Sequence, residues 1–495
     1  LTHEVAYGSL LQEQRRVLHA QIVETLEATS PDRVAEQVER LAHHALRGEV
    51  WDKALAYFRQ AGERAMARSA HHEAVGYFDQ ALTALAHLPE QRDTREQAID
   101  LRLALRSALL PSRDPERILA CLRDAEALAV LLDDHRRLGQ ISGFLSVHFR
   151  NTGAYGQAIT AAQRALTLAT AGGDVVREAL ANLFLGAAYW AQGDYQRAID
   201  SLRQTVASLH GARRLERFGQ ANLPAAQARA FLAACHAELG MFTEGSSLGE
   251  EGLQIAEAVA HPSSLMWAYY GIGLLALRQG DLHRALPLLE RAMSICQEAA
   301  LTLFVPRMAA ALGAAYTLAG RVAEAVALLT PTLEQTSAMD MAGFQALCRL
   351  PLGEAQMLAG HLTEAHTMAE QAQALAREYQ ERSHQAYALY LLGEIAARRE
   401  PPESEQAEVY YQQALALANE LGMRPLVAHC QLGLGTLSRR MGRMAQARTA
   451  LAAALALYRT MQMTFWLLRA EAALAQVEGA EWKVLGAHRG TMGGQ

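Results

Sequence analysis

Lysine is nearly missing from this chain of 495 residues, which carries it only at Lys53 and Lys483. A phosphate-cradling loop of the Gly-x-x-x-x-Gly-Lys-Ser/Thr kind needs a lysine beside glycines, and neither of these two sits in one. Nucleotide hydrolysis by this chain is therefore excluded. The other basic residues are arginines, which reads as the codon bias of a GC-rich bacterial genome. Basic charge is not in excess either, with a net charge of −6 and a pI near 6.3, so no long-range field draws the chain to nucleic acid or to an anionic membrane. Aromatic residues make up only 6% and β-branched residues are sparse, leaving little from which to build strands.

Cysteine is scarce as well. Cys121, Cys235, Cys296, Cys348 and Cys430 stand singly, with no second cysteine two to four positions away, which excludes ribbon-type zinc and speaks against a disulfide framework. They read as small buried apolar residues in a reducing cytoplasm. No signal sequence opens the chain. Its longest stretch without Asp, Glu, Lys or Arg, Ala258 to Leu277, is interrupted by His261, Pro262, two serines and two glycines. No spanning helix is expected, nor any metal or cofactor. His43-His44 and His71-His72 diverge on a helix and lack the acidic partner of a zinc motif. Arg213-Arg214, Arg398-Arg399 and Arg439-Arg440 lack interleaved aromatics, and read as solvated faces or turn caps.

What is present in quantity is Ala, Leu, Gln, Glu and Arg, the good helix formers, and they are arranged with a period. Gly153-Ala-Tyr155 leads to Ala158, Gly193-Asp-Tyr195 to Ala198, Gly280-Asp-Leu282 to Ala285, Gly320-Arg-Val322 to Ala325, Gly360-His-Leu362 to Ala365 and Gly442-Arg-Met444 to Ala447. The strings recur about every 40 residues. A weaker copy, Gly240-Met-Phe242 with Gly245, arrives late, and another near Ala407 replaces the turn by Arg398 to Pro402. Seven residues before the turn a second glycine recurs, as Gly186, Gly273, Gly313, Gly353 and Gly435, and small residues also return at Ala165, Ala292, Ala372 and Ala454.

The turn glycine supplies the backbone conformation that ends one helix before the next, and the small mid-helix residue lets a neighbour approach closely. Each unit is thus a helix pair that cannot bury its apolar face alone, and stacking buries a continuous core. Leu185-Gly186-Ala-Ala-Tyr189 with Ala198, and Leu312-Gly313-Ala-Ala-Tyr316 with Ala325, resemble the tetratricopeptide repeat, though that family's usual period is about 34 residues. The fold expected is all-α, a right-handed α-solenoid of about ten such helix pairs, with residues 46–478 as the repeat region.

Residues 1–45 depart from the period, and two irregular first pairs follow, around Trp51 to Phe58 and around His71 to Phe78. Leu1-Thr-His-Glu-Val-Ala-Tyr7-Gly-Ser-Leu-Leu11, Arg15-Arg16-Val-Leu-His19 and Leu41-Ala-His-His44-Ala-Leu-Arg-Gly48 resemble the junction after the nucleotide-binding module of bacterial signalling ATPases. The resemblance is to multidomain proteins with a class III adenylate/guanylate cyclase, a central AAA or STAND-type ATPase and a carboxy-terminal repeat arm. It implies that the chain, which opens on Leu, is the regulatory arm of a longer polypeptide. Neither the cyclase nor the ATPase motifs occur in it. The alternatives left open are the repeat arm of a STAND-type transcription regulator and a free-standing assembly adaptor. Residues 479–495 lose the period and are expected to form an irregular tail.

In a solenoid of this kind the first helix of each pair lines a concave wall able to hold an extended peptide or a partner's loop. Counting back from the turn glycines places Arg150, Asn151, Trp190, Trp267, Tyr270, Arg307 and Glu354 there. Trp and Arg are the residues that binding hot spots favour. No catalytic residue is assigned. The partners expected are a protein or peptide along the groove and the ATPase and cyclase domains of the parent chain, with no nucleic acid and no membrane. Apolar solenoid ends also allow self-association.

Overall fold

The computed structural model describes residues 12–29, 35–68, 70–110, 114–338 and 342–492. Leu1–Leu11 of the junction string, Ser69 and the last three residues fall outside that range. Among the described residues there are 23 α-helices and no strand. The chain divides into two units, residues 1–148 and 149–495.

In the first unit, α1 (Gln12–Thr29), α2 (Val38–Arg47), α3 (Trp51–Ala67), α4 (His71–Leu85), α5 (Arg92–Leu109) and α6 (Pro115–Leu131) follow one another along the chain. Val23, Leu41, Ala61, Phe78, Ile99 and Leu122 are closed from solvent. Glu27 of α1 binds Lys53 Nζ of α3 at 2.6 Å, and Asp79 of α4 binds Arg117 of α6. Residues 12–29 and 38–47 are helical although they lie outside the period. Of the His43-His44 pair, His44 Nδ1 meets His19 Nδ1 at 2.7 Å, joining α2 to α1. No group of three or more His, Cys, Asp or Glu positioned for a metal occurs among the described residues. The unit boundary falls within α7 (His135–Asn151).

The second unit carries the period. First helices α9 (Val175–Gln192), α11 (Pro224–Leu239), α13 (Pro262–Gln279), α15 (Val305–Leu318), α17 (Ala342–Leu358), α19 (Arg382–Ala396), α21 (Arg424–Arg440) and α23 (Thr464–Met492) alternate with second helices. The second helices are α8 (Tyr155–Ala171), α10 (Tyr195–Ser208), α12 (Phe242–Val259), α14 (Leu282–Glu298), α16 (Val322–Ala338), α18 (Leu362–Glu378), α20 (Ser404–Glu420) and α22 (Met444–Thr460). The turn glycines lie in the left-handed region, as at Gly193 (φ 91°) and Gly280 (φ 87°), where a side chain would be strained. The late arrival of the Gly240 copy has a local cause. A connection with a short 3-10 helix, Gly211–Leu215, separates α10 from α11, and it is fastened by the Ser264 hydroxyl, which accepts the Leu223 N–H at 2.9 Å.

The mid-helix glycines explain themselves in space. A methyl group at Gly186, Gly273, Gly313 or Gly435 would meet Leu202, Leu289, Leu329 or Leu451 at 2.6 to 2.8 Å, so each first helix accepts a leucine of its second helix, sixteen positions on. One expectation is corrected: the chain from Gly479, expected to be irregular, continues α23 to Met492. The Ala, Glu and Leu of this stretch favour helix without a repeat.

Contacts between distant repeats give this unit its interior. The Tyr155 hydroxyl donates to Glu381, 226 positions away, and the Tyr387 hydroxyl to Glu238, 149 positions away, at 2.6 Å. The backbone at Gly193 abuts Ser383, and Gly240 abuts Met461. After several repeats the second unit therefore packs against itself.

Candidate functional site

This self-contact borders a partly open cavity of about 420 Å³ on the side of the first helices, within the ~300–1,000 Å³ range of small-ligand sites. Its wall is written in the period. Tyr270, Ala310, Leu350 and Tyr390 form one row of lining residues 40 positions apart; Leu274, Ala314, Glu354 and Glu394 form a second; Arg278, Leu318, Leu358 and Arg398 form a third. Within a helix the rows are four residues apart, hence on one face. Arg307, Leu347 and Tyr387 add a further row, and the last first helix supplies Trp466 and Arg469.

Behind the wall runs an aromatic ladder across successive first helices and the turn before α15. Trp190 lies 5.0 Å from Phe231, Phe231 4.9 Å from Trp267, and Trp267 5.5 Å from Phe304, measured between ring centres. Such tilted and edge contacts are the favoured aromatic geometries. They fix Trp190 and Tyr270, which face the cavity.

The polar groups of the wall are of both signs. Glu238, almost closed from solvent, accepts from Arg278 Nε at 2.8 Å, and the Arg278 guanidinium lies 4.6 Å above the Tyr387 ring. Burial works against the charge on Arg278, but Glu238 and Tyr387 outweigh it and hold the pKa raised. Burial likewise drives the Tyr387 hydroxyl well above its ordinary range. Glu354 has its pKa raised by burial, which Arg278 only partly opposes. Arg307 stacks 4.6 Å over Trp190 and 5.3 Å over Phe344, both within cation–π range. Glu394 holds Arg398 and the Tyr411 hydroxyl.

His384 is bonded to Glu381 at 2.8 Å. His429 Nδ1 meets the Tyr458 hydroxyl at 2.7 Å, but burial, with Arg278 and Arg469 nearby, depresses the imidazole to about 3, and burial raises the phenol well above its usual value. Such a pair is a poor proton relay near neutrality. All five cysteines are free and buried, and burial pushes the Cys296 and Cys348 thiols up to about 12, away from the reactive thiolate.

Of the groove residues named from sequence, Trp190, Tyr270, Arg307 and Glu354 come together on the cavity wall. Trp267 is 2% exposed and sits inside the aromatic ladder. Arg150 and Asn151 end α7; Arg150 lies over Phe231 at 5.8 Å, and the carbonyls of both residues approach Gly343. Counting back did not reach Glu238, Tyr387, Glu394, His429 or Trp466. Two of these were within reach of the period, since Glu394 follows Glu354 by 40 positions and Tyr387 follows Arg307 by 80. Of the arginine strings, Arg398 pairs with Glu394, Arg399 with Glu403, and Arg440 donates to the Ala397 carbonyl. Arg213 and Arg214 lie exposed in the 3-10 helix.

Two stretches, residues 181–214 and 225–298, match tetratricopeptide-repeat family patterns. No curated protein matches the chain. Among solved structures, a Rap protein complexed with competence and sporulation factor is 14% identical, with 74% of this chain and 98% of that one covered and a TM-score of 0.55. Aspartyl phosphate phosphatase F from Bacillus subtilis is 14% identical over 72% of this chain and 91% of its own, with a TM-score of 0.42. A Signal Transduction ATPase with Numerous Domains (STAND) protein with a tetratricopeptide repeat sensor, from Pyrococcus horikoshii, is 14% identical over 78% and 55%, also with a TM-score of 0.42. At these identities the likeness is one of fold, and it rests on the first of the three. The chain is an all-helical solenoid of tetratricopeptide-like helix pairs.

Proposed function

We propose that this chain is a non-catalytic sensor that binds a peptide, or a loop of a partner protein, in the cavity of residues 149–495. The observation that carries the reading is the wall itself: aromatic side chains and charges of both signs converge on a partly open space large enough for a ligand. A ligand there touches first helices from several repeats at once, so its binding energy is set against the packing of the whole unit. That coupling is what a sensor requires. Titration of the full chain with an equimolar mixture of random pentapeptides, followed by thermal unfolding, is expected to raise the melting temperature. An unmoved transition at millimolar peptide speaks against the reading.

The finer assignment, the regulatory arm of a bacterial cyclase–ATPase signalling protein, rests on the junction strings around Arg15–His19 and Leu41–Gly48. In that setting the arm works in the cytoplasm. No helix among the described residues is long and apolar enough to cross a membrane. Reading the gene upstream of the Leu1 codon tests it: a phosphate-binding loop preceded by a cyclase domain in the same frame is expected. A DNA-binding module there instead favours a transcription regulator.

A further inference from the structure

One carboxylate on the cavity wall has nothing to bind. Glu354 of α17 is half-buried, lines the cavity and, among the described residues, makes no hydrogen bond or ion pair. The other two carboxylates of the wall are engaged: Glu238 accepts from Arg278 and Tyr387, and Glu394 from Arg398 and Tyr411. On its own helix face Glu354 stands between Leu350 and Leu358, and Ala314 precedes it in its row, all apolar lining residues. The cations of the wall are also spoken for. Arg278 and Arg398 are held by those two carboxylates, Arg307 lies over Trp190 and Phe344, and Arg469 lies over Phe465 and Trp466. A carboxylate partly stripped of water and left unpaired is costly unless a cation joins it.

A second acceptor lies on the same face. Pro351 stands inside α17 and has no N–H for the carbonyl four positions back, that of Leu347. Leu347 and Pro351 both line the cavity, and with Glu354 and Leu358 they follow the spacing of one helix face. This stretch of wall thus carries a carboxylate without a counter-ion and a main-chain carbonyl that has lost its helical donor.

Resting on the cavity reading above, we infer that the ligand is cationic at this point: a protonated amine or a guanidinium donates to the Glu354 carboxylate, and the Leu347 carbonyl accepts a further N–H of the ligand. A peptide supplies the cation either from a Lys or Arg side chain or from its free amino terminus. Both are strong donors to a carboxylate.

Three random pentapeptide mixtures, all amidated at the carboxy terminus, separate these sources when titrated into the full chain by tryptophan emission. The first is acetylated and contains Lys and Arg, the second has a free amino terminus without them, and the third is acetylated without them. One of the first two is expected to bind about tenfold or more tighter than the third, as a charge-assisted bond implies. Glu354→Gln is expected to erase that preference, with Glu354→Asp retaining part of it. Because the carboxylate has no partner within the chain, Glu354→Gln is also expected not to lower the melting temperature of the free protein. A clear fall in that temperature would show that the carboxylate is already partnered, and overturns the inference. Equal binding of all three mixtures overturns the cation subsite while leaving the cavity reading intact, and so does a preference that survives Glu354→Gln. Binding of none overturns both.

Discussion

Gly313 has no room for a methyl group. An added Cβ would lie 2.6 Å from Leu329 Cδ1 and 2.7 Å from its Cγ, and Leu329 is closed from solvent and cannot move aside. Overpacking costs about 1–3 kcal/mol, more than the ~0.5–1 kcal/mol that alanine returns in helix propensity. Gly313→Ala is therefore expected to lower stability in urea unfolding, with Leu329→Ala in the same background recovering part of the loss. The glycine column was legible in the sequence because it recurs. The leucine column sixteen positions on was not, since leucine is common enough to hide a period. Gly353 shows the limit of the rule: its counterpart position holds Ala369, and the space is filled by Leu391 and Met368 instead. Roles on the cavity wall were legible in the same uneven way. Trp190 and Trp267 look alike in sequence, and only the packing of Phe231 between them puts one on the wall and the other inside.

Helices outside the period carry a pH dependence. In α1 and α2, burial lowers the pKa of His19 and of His44, and nearby cationic or imidazole groups add to the effect. A histidine whose folded pKa lies below the unfolded value near 6.5 stabilises the fold fully above that value, and the contribution is lost as pH falls below it. His429, depressed to about 3 in α21, acts in the same direction. The melting temperature is expected to be level between pH 7 and 8 and to fall steadily from pH 6.5 to 5. His44→Gln is expected to flatten the part belonging to residues 12–47, read by hydrogen exchange in those helices. The connection between α10 and α11 offers a second test at this scale. Removing the buried Ser264 hydroxyl leaves the Leu223 N–H without its partner, a loss of about 1–3 kcal/mol. Ser264→Ala is expected to speed amide exchange across residues 209–223 more than elsewhere. Sequence spacing showed that residues were added before Gly240; that they form a fastened 3-10 connection depends on contacts with α13, which no local pattern announces.

Across the whole molecule, the second unit is organised by contacts between repeats far apart in the chain. Helix pairs were legible because each is local, made by a turn glycine and a small residue within one period. Self-contact was not, because it depends on the summed rotation from repeat to repeat, and a small change in each accumulates. The Glu238 carboxylate ties together α11, α13 and α19 through Arg278 and Tyr387. Glu238→Leu leaves both partners unsatisfied, and breaking a buried pair from one side costs about 3–5 kcal/mol. This variant is expected to lower the unfolding transition of residues 149–495 and to loosen the cavity, with amide exchange in α19 as the readout.

The central claim is that the cavity among the first helices is where the partner binds. Ala314 lies in the middle of the Leu274–Glu394 row and faces that space, so Ala314→Trp fills it from a wall position outside the charged network. Isothermal titration of the wild type and of this variant with the same random pentapeptide mixture tests the claim directly. The account predicts measurable binding to the wild type and a loss of at least about tenfold in the variant, with its melting temperature kept. Equal binding by a folded variant would contradict it and place any partner site elsewhere on the chain.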